Sequence, residues 1–238
     1  TAVIEAMREG VLVITGGPGT GKTTIIHTII QIFKSSGMEV VLAAPTGRAA
    51  KRMTETTGIE AKTIHRMLGV AYADDDNGRQ KFDKNETETI EADVIIIDEV
   101  SMVDMQLFNN LLKAIEPGTR LILVGDANQL PSVAAGNVLK DIIKSEKIKV
   151  VRLTEIFRQA RESAIITNAH KINSGEEPVM NGNNTDFFFV NAQYAPEVPG
   201  KIVELITKRL PKFTGVDSFS DMQVLTPMRK GDIGAAGL

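Results

Sequence analysis

One stretch of eight residues constrains this chain more than any other, the sequence GGPGTGKT at positions 16–23. It fits G-x-x-x-x-G-K-[ST] at every fixed position, and its glycines let the backbone turn so that several N–H groups point into one concavity. An apolar run at 11–15 precedes it, and a helical apolar pattern follows from about 22 to 35. A strand, a glycine-rich loop and a helix in this order predict a cradle for a polyphosphate. The predicted cradle consists of Gly16, Gly17, Pro18, Gly19, Thr20, Gly21, Lys22, Thr23 and Thr24.

Two side chains of this loop have predicted chemical roles. Lys22 is a compact positive charge that reaches toward the β- and γ-phosphates of a nucleotide. Thr23 follows it, and its hydroxyl can sit on Mg²⁺. The loop therefore predicts a bound nucleotide with Mg²⁺, and a glycine-rich turn without a ligand is the competing interpretation.

A second signal lies at 94–97, where four β-branched apolar residues run directly into Asp98 and Glu99. In an open parallel sheet, ligands bind outside the carboxyl ends of the strands. Asp98 can therefore hold Mg²⁺, directly or through water, and Glu99 can orient and deprotonate an attacking water. A solvated Asp–Glu pair after a strand is the alternative. Gln129 follows another apolar run at 121–124, where it can sense a γ-phosphate or simply belong to a turn.

Composition narrows the class of protein. The 238 residues are 42% hydrophobic, which is enough for a sizeable core, and the net charge of −3 excludes a globally basic nucleic-acid binder without excluding a local basic face. The absence of cysteine excludes disulfides and thiolate metal sites and fits a reducing cytosol. No apolar run approaches the roughly 18 residues needed to cross a bilayer, so no membrane partner is expected. The chain opens on Thr1 rather than Met, which suggests an excised piece.

Such a local basic face is predicted at 47–66, which holds five lysine or arginine residues against two glutamates. The segment follows the second predicted strand, at 39–44, where Pro45 ends the strand and Thr46 can cap a helix. A surface for the phosphates of a nucleic acid is the functional interpretation, and an ordinary solvated helix face is the alternative.

Strand and helix patterns alternate over residues 11–153, which predicts an α/β fold with a parallel sheet and right-handed crossovers. From residue 154 the sequence pattern changes, so we place a first domain at 1–153 and a second, incomplete α/β unit at 154–238. The predicted elements of the second unit are a helix at 163–172, a strand at 187–190, a helix at about 197–210 and a strand at 222–225. His170 falls in the first of these helices and is interpreted as a helix residue only. Residues 72–92 are polar, with a turn at 74–78, and no chemistry is assigned to them.

Several blocks of the chain, taken in order, resemble the superfamily 1 helicases, most closely the RecD/TraA-like branch to which the α-chain of exodeoxyribonuclease V belongs. The resemblance spans essentially the whole chain, and several motifs in the right order are far more specific than any one of them. The matching blocks are GGPGTGKTT (16–24), APTGRAAKRM (44–53), TIHRML (63–68), IIIDEVSMVD (95–104), GDANQLPSV (125–133), LTEIFRQ (153–159) and LTPMRKGDIGAAGL (225–238).

The resemblance implies a cytoplasmic, ATP-driven motor of DNA recombination and repair that moves 5′ to 3′ along single-stranded DNA. Its fold would be a RecA-like P-loop NTPase domain followed by part of a second RecA-like domain, with ATP and Mg²⁺ between the two. Lys22 and Glu99 would then serve catalysis, Gln129 would contact the γ-phosphate, and Arg158 would act as an arginine finger. The residues implied to touch the DNA strand are Thr46, Arg48, Thr63 and His65.

Some family features differ or are missing. Asn128 stands where the family usually has Asp, and Ala134 and Ala135 replace a more typical Gly-Pro. An adenine-reading Gln and the later motifs of the family are absent from this sequence, so we expect a fragment truncated at both ends, weak or inactive in isolation. Two alternatives stay open: a P-loop phosphotransferase acting on a small molecule, and a non-catalytic assembly subunit that binds nucleotide. Whether the parent works alone or with other subunits of a helicase–nuclease complex also stays open.

Overall fold

The structure, a computed structural model, describes residues 1–74, 80–157, 162–180 and 185–238. Its strands are β1 (Val11–Gly16), β2 (Val40–Ala44), β3 (Ala61–Thr63), β4 (Val70–Asp74), β5 (Gln80–Phe82), β6 (Val94–Ile97), β7 (Arg120–Gly125) and β8 (Lys149–Leu153). Its helices are α1 (Ala2–Arg8), α2 (Lys22–Ser35), α3 (Gly47–Thr57), α4 (Ile64–Leu68), α5 (Met105–Lys113), α6 (Val138–Ser145), α7 (Ala164–Asn173), α8 (Glu197–Glu204) and α9 (Leu210–Thr214). A short 3₁₀ turn covers Val100–Met102, and a π-helical turn covers Leu205–Arg209.

A parallel sheet organises the first part of the chain. Within the described ranges it has six strands in the order β3–β2–β6–β7–β1–β8. Every neighbouring pair is parallel, with Ile14 beside Val124 and Ala44 beside Thr63. The carboxyl ends of all these strands consequently lie along one edge of the sheet, which is where α/β sheets bind ligands.

Both faces of the sheet are covered, because alternate residues of each strand point to opposite sides. One face packs against α1, α2 and α3, and the other against α4, α5 and α6. On β1, Leu12 and Ile14 belong to the first face, whereas Val13 belongs to the second. All three side chains are fully buried. The near-continuous apolar runs of the sequence are thus explained by burial on two sides rather than one.

Side-chain caps fix where four of the described helices begin, at Thr46, Thr63, Asp104 and Ser163. Thr46 accepts a hydrogen bond from the backbone N–H of Ala49, at 3.2 Å, and so starts α3. Asp104 does the same for α5 through Leu107 N, at 2.8 Å. Each such cap satisfies one of the backbone donors that a helix leaves unpaired at its start. The cap at Thr46, predicted from the sequence, is confirmed.

The predicted α/β fold with a parallel sheet is confirmed. Three features were not predicted: helix α1, the three-residue strand β3 at the edge of the sheet, and the antiparallel pair formed by β4 and β5. The pair begins at Val70 and extends into 72–92, a segment to which the sequence assigned no structure beyond a turn. That turn, at 74–78, lies outside the described residues apart from Asp74.

The chain divides into two compact units, Thr1–Val179 and Met180–Leu238. Residues 162–179, which we placed in the second domain, therefore pack with the first unit. The strands predicted at 187–190 and 222–225 are wrong: residues 185–238 contain α8, the π-helical turn and α9 but no strand. A strand exists only through hydrogen bonds to a neighbouring strand, and within this described segment no such neighbour is present. Of the helices described, none is both long and apolar enough to cross a membrane.

Candidate functional site

The glycine-rich loop joins β1 to α2, as predicted. Gly19 and Gly21 have φ angles of 75° and 79°, a left-handed backbone that other residues adopt only with strain. Gly21 is the residue from which α2 begins. The Thr20 hydroxyl donates to the carbonyl of Gly17 at 2.8 Å, which closes the loop on itself. Glycine is needed here because the backbone must turn sharply twice before the helix starts.

Lys22 turns back into the loop that precedes it. Its Nζ donates to the carbonyl of Gly16 at 2.6 Å and to that of Gly17 at 3.1 Å. The ammonium group is thus held over the concavity by two neutral acceptors. A phosphate is a stronger acceptor for this ammonium than a carbonyl, because its oxygens carry a negative charge that attracts the positive charge of Lys22.

The two carboxylates after β6 have unusual surroundings. The backbone of Glu99 is left-handed, with a φ of 54°, and its N–H donates to Asp98 Oδ1 at 2.9 Å. Among the described residues, the Glu99 Oε2 atom is the one buried side-chain oxygen or nitrogen with no hydrogen-bond partner. A strained backbone and an unpaired buried oxygen both cost free energy, and such strain collects at functional sites.

Burial raises the pKa of Asp98 above its ordinary value of 3.8, against a backbone hydrogen bond and the charges of Lys22 and Arg52, which lower it. Burial is also the largest cause of the raised pKa of Glu99, whose ordinary value is 4.5, and the Asp98 charge raises it further. Carboxylates in this state attract a cation or a proton. A raised pKa suits Glu99 to accept a proton from water near neutral pH.

One cavity of about 530 Å³, called the main cavity below, is lined by most of the predicted site residues. The predicted residues among its lining are Gly17, Pro18, Gly19, Thr20, Gly21, Lys22, Thr23, Thr24, Asp98, Glu99 and Gln129. Gly16 is next to this cavity, because its carbonyl accepts a hydrogen bond from Lys22, which lines the cavity. Residues from three separate loops, after β1, β6 and β7, therefore meet at one place. A second cavity, of about 810 Å³, adjoins the first and shares Thr20 and Phe157 with it.

Gln129 is held by a residue that the sequence did not single out. The Ser101 hydroxyl lies 3.4 Å from Gln129 Oε1, in position to donate to it, and Ser101 itself is buried. The loop that carries Gln129 is fixed by the buried Asp126, whose Oδ1 accepts from Asn128 N at 2.9 Å. With its oxygen facing Ser101, the amide of Gln129 has its NH₂ group left to donate toward the cavity.

Sequence reasoning missed further residues of this site. Arg52 of α3 lines the main cavity, and so do Phe157 and Ile166. The guanidinium of Arg52 lowers the pKa values of both Asp98 and Glu99. Position 52 belongs to the basic block noted in the sequence, but nothing in that block separates a residue facing a nucleotide from one facing a nucleic acid.

Two more contacts on the loop come from the chain beyond β8. Phe157 N donates to Gly19 O at 3.1 Å, and its ring lies so close to Gly21 that a Cβ added there would overlap the ring. His170, which we interpreted as a helix residue only, lies within 3.0 Å of the Pro18 carbonyl through its Nε2. Neither contact has a signal in the sequence, because the residues are far from the loop along the chain.

Thr46 and Thr63 follow adjacent strands, at the same edge of the sheet as the phosphate loop. Thr63 caps α4 by accepting from Arg66 N at 3.1 Å. A hydroxyl that accepts a capping bond still has one O–H to donate, so both threonines can bond a phosphate oxygen while capping. Arg48 is exposed on the first turn of α3. His65 is half-buried, with its ring centroid 6.0 Å from that of Phe82.

Arg158, the predicted arginine finger, lies outside the described residues. Its role stays a prediction.

The residues present fit a magnesium ion. The Thr23 hydroxyl and the Asp98 carboxylate line the same cavity, and oxygen donors of these two kinds are the ligands that Mg²⁺ takes. A carboxylate whose pKa is raised by burial is stabilised in its charged form by a cation beside it.

Comparison with known proteins agrees with the resemblance seen in the sequence. A family model described as an AAA domain matches residues 1–188. The "ATP-dependent RecD2 DNA helicase" of Deinococcus radiodurans is 40% identical over 223 residues, covering 94% of this chain and 28% of that protein. The "RecBCD enzyme subunit RecD" of Mycobacterium tuberculosis is 34% identical over 202 residues, covering 74% of this chain and 34% of that protein.

Among solved structures, the crystal structure of the Pif1 helicase from Candida albicans is similar, with a TM-score of 0.54 and 29% sequence identity. The match covers 74% of this chain and 43% of that one. The predicted resemblance to RecD-like helicases and the RecA-like fold are therefore confirmed. This chain spans about a third or less of the length of the RecD relatives, which are 28% and 34% covered.

Proposed function

This chain belongs to the AAA domain family, and from that premise we propose that it is the ATP-hydrolysing part of a RecD-like DNA helicase. The protein would use ATP to move 5′ to 3′ along single-stranded DNA in recombination and repair, in the cytoplasm. The observation that carries the proposal is the meeting of Lys22, Asp98 and Glu99 at one cavity. Such a set serves phosphoryl transfer to water, because it combines a phosphate cradle, a metal ligand and a base.

Each residue of the cavity has a proposed task. Lys22 leaves the carbonyls of Gly16 and Gly17 and binds the β- and γ-phosphates instead. Glu99 takes a proton from a water molecule as the water oxygen attacks the γ-phosphorus and the bond to ADP breaks. Gln129 donates its NH₂ group to the γ-phosphate, with Ser101 holding the other end of its amide. Mg²⁺, held by Thr23 and Asp98, would offset the negative charge of the phosphates when bound.

The adjoining cavity of about 810 Å³ suits the base and ribose. It is continuous with the phosphate cradle through Thr20, and its lining combines apolar side chains of α1 and β8 with the ring of Phe157. A planar base stacks on an aromatic ring with little preference for its identity.

The proposed DNA surface consists of Thr46, Arg48, Thr63 and His65. It stands on the same sheet edge as the ATP site, after strands β2 and β3. Contacts of hydroxyl and guanidinium donors with phosphates carry no sequence information, so binding through them would ignore sequence and weaken with salt. The ring of His65, next to Phe82, adds a stacking surface for a nucleobase.

We keep a second RecA-like domain, starting near residue 154, as part of the proposal. It would bring Arg158 to the γ-phosphate, so that ATP bridges two domains and hydrolysis releases them from each other. Other subunits of a helicase–nuclease complex are proposed partners, since the Mycobacterium tuberculosis relative is a RecBCD subunit by name.

Single-stranded DNA should stimulate ATP turnover by the full-length protein, and the stimulation should fall as salt is added. Arg48→Ala should weaken DNA binding equally for all sequences and reduce the salt dependence by about one phosphate contact. Lys113→Ala is the matched control, because Lys113 lies on α5 and pairs with Glu86 at 3.2 Å. Turnover indifferent to DNA would overturn the proposal.

The same assay separates the two alternatives. A phosphotransferase would need a small acceptor molecule and ignore DNA, and a non-catalytic subunit would bind nucleotide without turning it over. A strand-separation assay on the 238-residue chain itself tests the expectation that it unwinds nothing alone. Robust unwinding by this chain would contradict that expectation.

A further inference from the structure

His170 makes a hydrogen bond with the phosphate loop from outside it. The ring lies on α7, and its Nε2 is 3.0 Å from the carbonyl oxygen of Pro18. A carbonyl oxygen can only accept, so Nε2 must carry the hydrogen. This contact joins positions that are 152 residues apart in the chain.

The ring also accounts for the glycine at position 17. The three atoms nearest to a Cβ built on Gly17 all belong to the His170 ring, with Cε1 at 2.6 Å. Real Cβ atoms are not found so close to another atom. The backbone of Gly17, unlike that of Gly19 and Gly21, has no positive φ that would itself require glycine. The absent side chain at position 17 therefore makes room for the imidazole.

Helix α7 is anchored firmly enough to hold the ring in place. Asn168, two residues before His170, is 1% exposed. Its side chain donates to Val179 O and accepts from Val179 N, both at 2.8 Å. The Ser163 hydroxyl caps the start of the helix by accepting from Ile166 N at 3.4 Å. The helix is thus held at its start and at its middle, two residues before His170.

We propose that His170 is a positioning residue of the phosphate loop, which it holds through the Pro18 carbonyl and so couples to helix α7. The proposal rests on the proposed function, in which this loop binds the triphosphate. Among the described residues, three side chains bond the carbonyls of Gly17 and Pro18: Thr20 and Lys22 donate to that of Gly17, and His170 to that of Pro18. When Lys22 turns to the phosphates, the loop loses one of these bonds and His170 keeps it in shape.

A double-mutant cycle tests the contact in the full-length protein. His170→Ala and Gly17→Ala should each weaken binding of a fluorescent ATP analogue about fivefold, the worth of roughly one hydrogen bond. Gly17→Ala should have almost no effect in the His170→Ala background, because the ring it displaces is gone. His27→Ala should bind like wild type, since His27 is exposed on α2. Equal effects of Gly17→Ala in the two backgrounds would overturn the proposal.

Conservative variants distinguish loss of the hydrogen bond from simple loss of packing. His170→Gln places an N–H₂ group at the same number of bonds from Cα as Nε2 and should restore most of the affinity. His170→Asn is one atom shorter and should behave like His170→Ala. Equal affinities of the Gln and Asn variants would contradict the assigned hydrogen bond.

A nucleotide-free measurement separates this proposal from the function it rests on. Nitrogen NMR of the histidine rings should show the hydrogen of His170 on Nε2, and this signature should be lost in Gly17→Ala. A wild-type protein that shows the signature but binds no nucleotide would overturn the proposed function and leave the contact standing. A hydrogen on Nδ1 alone would overturn the contact.

Discussion

The two compact units of the chain differ in how their apolar residues are used. In Thr1–Val179, strands and helices enclose a core on each face of the sheet. Across the described residues, every buried hydrophobic side chain lies between Ala2 and Val151. In Met180–Leu238, Phe213 and Phe219 are 71% and 97% exposed. Apolar residues are present in both units, but among the described residues neighbouring strands to pack them against are found in the first alone.

This difference bears on the candidate site. Every described residue that lines the main cavity belongs to the first unit. Precise placement of charged groups requires a rigid frame, and close-packed interiors supply one. Substitutions in the first unit should therefore change stability or nucleotide binding, depending on whether they fall in the core or in the cavity, whereas substitutions in the second should change neither by much. Four experiments test this contrast.

The largest effect is expected for core truncation. Phe33→Ala removes a fully buried ring of α2 and should lower the free energy of unfolding by about 3–5 kcal/mol. Phe213→Ala removes an exposed ring, whose edge contacts Phe188 at a centroid distance of 5.8 Å, and should cost less than about 1 kcal/mol. Chemical denaturation of both variants measures the contrast. Similar losses would show that the second unit has a core after all.

Loss of the loop lysine should have the second-largest effect, and this effect should be on activity and not on stability. Lys22→Ala should reduce DNA-stimulated ATP turnover about 100-fold or more, because it removes a preorganised donor to the phosphates. The thermal unfolding midpoint should change little, since Lys22 makes hydrogen bonds only to loop carbonyls. Steady-state kinetics and calorimetry on one preparation provide the check. Unchanged turnover would refute the assigned role.

Arg52→Ala should have a smaller effect, on the order of tenfold in nucleotide affinity, as expected for one charge-assisted contact. Its charge lowers the pKa values of Asp98 and Glu99, so removing it should raise both and shift the acid limb of the pH–rate profile to higher pH. Lys51→Ala is the control, because Lys51 is 79% exposed and pairs loosely with Glu55 at 3.9 Å. If both variants shift the profile alike, Arg52 has no special place in the site.

The smallest effect compares one aspartate from each unit. Burial raises the pKa of Asp98, so its folded form binds a proton more tightly than the unfolded chain does. Wild type should then lose stability as pH rises from about 3.8 through the higher folded pKa, and Asp98→Asn should remove that loss.

Asp217 should show the opposite dependence. Hydrogen bonds from the backbone N–H groups of Ser220 and Phe219 lower its pKa, so its stabilisation exists above pH 3.8 and is lost as pH falls below that value. Asp217→Asn should remove this local stabilisation, which hydrogen exchange of residues 217–221 can follow across the pH range. The same sign for both aspartates would contradict the assignment.

Much of the first unit was predictable because its signals are local. Apolar runs gave β1, β2, β6 and β7 to within one or two residues, and the helical pattern gave α2. In the second unit the same reasoning failed, at 187–190 and 222–225. An apolar run specifies a strand only where another strand stands beside it, and no local pattern contains that information.

The candidate site also has a part that was predictable from the sequence and a part that was not. The sequence by itself determined that a phosphate loop, a pair of carboxylates and a glutamine exist and follow strands, since each needs only a few consecutive residues. Only the tertiary structure decided which further side chains join them: Arg52, Ser101, Phe157 and His170 reach the site from elsewhere in the chain. The physical reason is that the motifs are specified by the chemistry they perform, whereas their neighbours are selected by packing between segments far apart in sequence.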